Sequence, residues 1–132
     1  MTWQFDDKLP IYLQIIHILK QDLACGKYSP GQKLPAVREL ALEAGVNPNT
    51  MQKALSELER DGLLKSQRTA GRFVTEDKEK IMEVRRTLAY DEIERMVENI
   101  SSLGYRREDI PLLLERYLSA QTKEPQNKLD TL

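Results

Sequence analysis

The chain has 132 residues, 40% of them hydrophobic and 31% charged, with a formal net charge of −1. That is room for one ordinary domain, or for one small domain with an oligomerisation appendage. The start, Met1-Thr2-Trp3-Gln4-Phe5-Asp6-Asp7, lacks the basic cluster and apolar run of a signal peptide. No stretch approaches the roughly 20 apolar residues of a membrane span, and a lone Cys25 excludes an internal disulfide framework, so the expected setting is the cytoplasm.

Charge is unevenly spread. Residues 1–75 carry ten Lys/Arg against eight Asp/Glu, whereas residues 76–132 carry ten against thirteen. The basic excess lies in the first half, where a polyanion would be met, and the small overall charge predicts modest non-specific affinity.

The first helix is expected from Pro10 to about Cys25. Pro10 suits a first helical position, and Tyr12, Ile15, Ile16, Leu19 and Leu23 recur at helical spacing on one face. His17, the only histidine, reads as packed between its isoleucine neighbours. Gly26 follows as a C-cap, and Ser29-Pro30-Gly31-Gln32 places Pro and Gly at the centre of a type II turn. A short second helix is expected over Ala36–Ala44, with Val37, Leu40, Ala41 and Ala44 inward and Gly45 at its end. A third begins immediately, with Asn47 as N-cap, Pro48 as first residue and Met51, Ala54, Leu55 and Leu58 as its inner stripe. Two short β-like runs, Leu63–Ser66 and Arg72–Thr75, flank Gln67-Arg68-Thr69-Ala70-Gly71 as a hairpin with a basic tip.

From Glu76 the composition changes to a Gly-free, Glu- and Arg-rich stretch with Ile81, Val84, Leu88, Ile93, Val97, Ile100 and Leu103 along one side. This predicts one long helix of about 25 residues, capped by Thr75 and broken at Gly104-Tyr105. A last helix is expected from about Asp109, with Ile110, Leu113, Leu114, Tyr117 and Leu118 on one face. The polar end from Thr122 reads as a flexible tail.

Helix, turn, short helix, tight corner, helix and hairpin is the order of a winged helix-turn-helix. The expected fold is therefore mainly α with a small β-hairpin: a DNA-binding domain over 1–75, a two-helix dimerisation segment over 76–121 and a tail over 122–132. At the corner, Gly45 reverses the chain, Val46 fills the gap between helices and Asn47-Pro48 starts the third helix. The side chains opposite its inner stripe are Asn49, Thr50, Gln52, Lys53 and Ser56. Amides such as Asn49 and Gln52 match the donor–acceptor edge of adenine in the major groove. Lys53 is placed to reach a phosphate. Asn47, as the cap, is committed to a backbone N–H.

The run Gly26-Lys27-Tyr28-Ser29-Pro30-Gly31-Gln32-Lys33-Leu34-Pro35-Ala36-Val37-Arg38-Glu39-Leu40-Ala41, followed by Val46-Asn47-Pro48-Asn49-Thr50, resembles the GntR family of bacterial regulators. Pro10–Ile15 and Gly71-Arg72-Phe73-Val74 fit the same pattern, so the resemblance covers about residues 8–75. The short remainder resembles the YtrA-type subfamily. The resemblance implies a homodimeric repressor of a neighbouring, transporter-type operon that binds double-stranded operator DNA. It further implies that Arg38 reaches DNA, that Asn47, Asn49, Thr50 and Gln52 are recognition-helix contacts, and that Arg68, Thr69, Ala70 and Gly71 form the wing near the minor groove. Two positions depart from the pattern: Ala36 stands where many members have Ser, and Thr69 replaces the usual first wing glycine.

No catalytic set is present. One His and one Cys do not make a zinc site of the usual kind, there is no phosphate-cradling glycine loop, and no cofactor or metal is expected. Arg38, Lys53, Arg68 and Arg72 are the expected phosphate contacts. The apolar stripes of the last two helices are too isolated to cover themselves, which points to a homodimer through the C-terminal helices. No effector is identifiable. The competing readings are a regulator with a small ligand at the dimer interface and a winged-helix protein-interaction module.

Overall fold

The computed structural model describes residues 3–123. These form α1 (Ile11–Ala24), α2 (Val37–Ala44), α3 (Pro48–Arg60), β1 (Leu64–Gln67), β2 (Gly71–Val74), α4 (Lys78–Ser101), a 3-10 turn over Arg107–Asp109 and α5 (Ile110–Lys123). The chain divides into two compact units, one through Leu88 and one from Ala89 onward.

In the first unit, the inward faces of α1, α2 and α3 make one core. Ile15, Leu19 and Leu23 of α1 meet Leu40 and Ala41 of α2 and Met51, Ala54, Leu55 and Leu58 of α3, all nearly or fully buried. Removing this much apolar surface from water is the main term holding three short helices together, since helices of 8 to 14 residues are marginal alone. The inward phase of α1 puts position 17 on the outer side, so His17 is exposed rather than packed as expected. Tyr28 and Leu34 are buried, and Trp3 and Phe5, with ring centroids 6.1 Å apart, pack on the core from the N-terminal arm. Gln14 holds that arm. Its Nε2 donates to the carbonyls of Asp6 at 2.9 Å and Leu9 at 2.8 Å, and its Oε1 accepts from the Asp6 amide at 3.0 Å.

The wing is antiparallel, with Leu64 opposite Val74 and Gln67 opposite Gly71. Val74 points into the core and anchors the hairpin. The expected turn over Ser29–Gln32 forms, closed by the Gln32 amide on the Ser29 carbonyl at 3.0 Å. The residues after it do more than connect. The Leu34 amide donates to the Arg72 carbonyl, the Val74 amide to the Gln32 carbonyl, and Lys33 bridges Phe73, so this segment lies beside β2 as a third edge.

At the start of α4, Thr75 accepts from the Asp77 amide at 3.1 Å and Asp77 accepts from the Glu79 amide at 3.0 Å. Asp77, rather than Thr75, thus satisfies a free helical donor, the amide of the second residue of α4. Ile81 is buried and Val84 half-buried against the winged-helix core, and Arg85 Nε donates to the Ala24 carbonyl at 3.1 Å. The first turns of α4 therefore belong to the first unit, and its boundary falls after the compositional break at 75. In the second unit Ile110 is buried, whereas Leu103, Leu112, Leu114 and Tyr117 are exposed. Of the expected tail, Thr122 and Lys123 end α5 and the remainder lies outside the described residues. No helix among the described residues is long and apolar enough to cross a membrane.

One buried group works against the core. Asp22 follows the inward phase of α1 and is fully buried, and neither carboxylate oxygen has a hydrogen-bond donor among the described residues. Lys27 Nζ stands 3.7 Å away. Burial pushes the Asp22 carboxyl above the ordinary carboxylate range, and Lys27 only partly opposes this. A raised folded-state value means the native chain holds more protons than the unfolded one in that window, so stability falls as pH rises through it. Asp22→Asn is expected to melt higher than the parent at pH 7, with the gap narrowing as pH drops through the carboxylate range. Thermal melts across pH check this, and a gap that widens in acid would contradict it.

Candidate nucleic-acid interface

The corner between α2 and α3 aims the surface. Gly45 ends α2 with a left-handed φ of 71°, and the Val46 amide donates to the Ala41 carbonyl at 3.0 Å. A side chain at 45 would be strained in that conformation. Val46 packs on the core between the helices. Asn47 then caps α3, its Oδ1 accepting from the Asn49 amide at 2.8 Å, and Pro48 opens the helix. The cap reading of Asn47 is what the geometry shows.

With Met51, Ala54, Leu55 and Leu58 turned inward, Asn49, Gln52 and Lys53 are exposed and Thr50 is half-buried. The Asn49 side chain makes no hydrogen bond among the described residues. Gln52 Nε2 reaches Ser56 Oγ only at 3.4 Å, a weak contact that a better partner displaces. Both amides are therefore available to a ligand. Arg38, in the first turn of α2, is exposed and has no hydrogen-bond or ion-pair partner among the described residues. At the wing, Arg68 and Thr69 are exposed in the turn between the strands, and Gly71 opens β2 with a φ of 107°.

Two of the expected phosphate contacts are engaged within the fold. Lys53 Nζ lies 3.8 Å from the centroid of the Tyr12 ring, a cation–π contact that seats it on α1 while leaving it exposed. Arg72 is the more firmly held of the two. Its Nε pairs with Glu59 Oε1, and its side chain is only 16% exposed. The pair ties β2 to the last turn of α3, so Arg72 is a strut of the wing rather than a free cation. Ala36, at the N-cap of α2, makes no side-chain capping bond. Sequence reasoning passed over Lys33, which the third edge of the wing brings beside Gly71. Only the fold joins these two positions.

A winged helix that exposes amides, a free arginine and a basic hairpin tip around one corner is a nucleic-acid-binding architecture. Residues 11–74 match the family model described as bacterial regulatory proteins, gntR family. The chain is 38% identical over 110 residues to the HTH-type transcriptional regulator YhcF of Bacillus subtilis, covering 83% of this chain and 91% of that one. It is 36% identical over 102 residues to the HTH-type transcriptional repressor YtrA of the same organism, covering 76% and 78%. Among solved structures, a GntR family transcriptional regulator from Listeria monocytogenes superposes with a TM-score of 0.76 at 38% identity, covering 85% of this chain and 98% of that one. The DNA-binding domain of AraR, in complex with operator ORX1, matches with a TM-score of 0.52 at 32% identity, covering 57% and 99%. The chain belongs to the GntR family of bacterial regulatory proteins. It is a sequence-specific DNA-binding transcription regulator and not an enzyme.

The Arg72 strut gives a test separate from DNA binding. Arg72→Ala leaves Glu59 half-buried without its partner, which is expected to cost about 1–3 kcal/mol of stability. Denaturant unfolding of the variant measures this; an unchanged midpoint would return Arg72 to the list of free cations.

Proposed function

We infer that this chain is a homodimeric repressor of a neighbouring, transporter-type operon, reading a two-fold-symmetric operator. In this reading α3 enters the major groove with Asn49 and Gln52 toward base edges. Thr50, Lys53 and Arg38 face phosphates, and Arg68, Thr69 and Gly71 lie near the minor groove. The observation that carries it is the free row at the corner: Arg38, Asn49 and Gln52 are exposed and lack strong partners, while every apolar residue of the α3 inner stripe is buried. The operator-bound AraR domain supports the DNA reading, and the relative named as the repressor YtrA supports the sign of regulation.

The dimer reading rests on the second unit. Leu103 is 76% exposed, and Tyr90, Ile93, Leu112 and Tyr117 are each about half exposed or more. A small unit gains by covering such side chains, and a second copy provides the matching surface and the two-fold axis that a symmetric operator requires.

The test is selection of bound duplexes from a randomised pool. The parent is expected to enrich an inverted repeat, and light scattering of the same sample to give twice the mass of one chain. Asn49→Ala and Gln52→Ala should each relax preference at one or two base pairs per half-site, by about 1–3 kcal/mol. Asn47→Ala should lower stability by about 1 kcal/mol and keep the preferred sequence. An asymmetric single site, a monomer, or a preference rewritten by Asn47→Ala alone would count against this reading.

A further inference from the structure

The segment between the Ser29–Gln32 turn and α2 has no part in the reading above, yet the fold makes it an edge of the wing. Lys33 stands opposite Phe73 in an isolated antiparallel bridge. On either side, the Leu34 amide donates to the Arg72 carbonyl at 2.9 Å and the Val74 amide to the Gln32 carbonyl at 2.9 Å. The backbone at Lys33 is thus fixed by β2. Its side chain is exposed and has no hydrogen-bond or ion-pair partner among the described residues.

That side chain runs across Gly71. A Cβ placed on Gly71 would sit 3.1 Å from Lys33 Cε and 3.9 Å from its Nζ. The ammonium group therefore lies next to the first residue of β2, immediately after the wing tip. Arg72, the cation that sequence reasoning placed on this strand, is held by Glu59. The free positive charge beside Gly71 comes from another part of the chain.

We propose that Lys33 is a DNA-phosphate contact of the wing, replacing Arg72 in that role, and that Gly71 leaves room for its stem. This rests on the reading of the wing as facing DNA. An ammonium on a flexible stem neutralises phosphate as a point charge and carries no base pattern. Lys33 therefore contributes affinity and salt dependence and leaves sequence preference unchanged.

The test is fluorescence-anisotropy titration of the full chain against a labelled duplex of mixed sequence, from about 50 to about 200 mM salt. Lys33→Met keeps a stem over Gly71 and removes the charge; thermal melts confirm that it folds, and Lys33→Gln serves if it does not. The slope of log affinity against log salt is expected to be shallower by about one per chain, so that the affinity lost over this range shrinks about three- to fourfold. Lys33→Arg should restore the parent slope, and Arg38→Ala serves as the reference for a lost phosphate contact. A parent-like slope in Lys33→Met alongside a shallower one in Arg38→Ala overturns the assignment and leaves the DNA reading intact. A slope near zero for the parent itself overturns both.

Discussion

The inward stripe of α3 sets the phase of the whole interface. Met51, Ala54, Leu55 and Leu58 are between 0% and 1% exposed, locked against α1 and α2. A helix with one face fixed has no rotational freedom left, so Asn49, Gln52 and Lys53 must face outward. Rotating α3 by one position would bury an amide without a partner and expose a leucine, two costs of the same sign. The corner then supplies what packing cannot. Gly45 and the Asn47 cap fix where the helix begins, and so how far its first turn projects.

Electrostatics in the first unit divides into charges that hold the fold and charges left free. Arg72 pairs with Glu59, Lys27 approaches buried Asp22, and Lys53 rests on Tyr12. Arg38, Arg68 and Lys33 have no such partners among the described residues. For a polyanionic ligand the second group matters most, because an unpaired exposed cation neutralises phosphate without breaking an internal contact. In the proposed reading, this division rather than the net charge of −1 is what lets a nearly neutral chain meet a polyanion.

Much of this was legible in the sequence because it is local. The helical spacing of Ile15, Leu19 and Leu23, the Gly45 to Pro48 corner, and the turn at Ser29–Gln32 each depend on residues within one or two turns of each other. Three of the misses are contacts over distance. Nothing near Arg72 indicates that Glu59 on α3 will claim it, and nothing near Lys33 indicates that it will cross Gly71. The change of composition at Glu76 marked a boundary, yet Ile81, Val84 and Arg85 of α4 complete the first unit. Asp22 illustrates a different limit. Its helical phase put it inside, but an acidic residue is read as exposed unless a partner is known. His17 is the converse, an exposed side chain whose isoleucine neighbours suggested burial while its phase turned it outward.

The central claim is that the α2–α3 corner and the adjacent wing edge form one DNA-facing surface. It is tested most directly by mapping backbone amide chemical shifts of the isotope-labelled full chain as a selected operator duplex is added. The account predicts the largest changes at Lys33, Val37–Glu39, Asn49–Lys53 and Arg68–Gly71, with the outer face of α5 unaffected. Changes concentrated on α5, with the first turn of α3 silent, would contradict it.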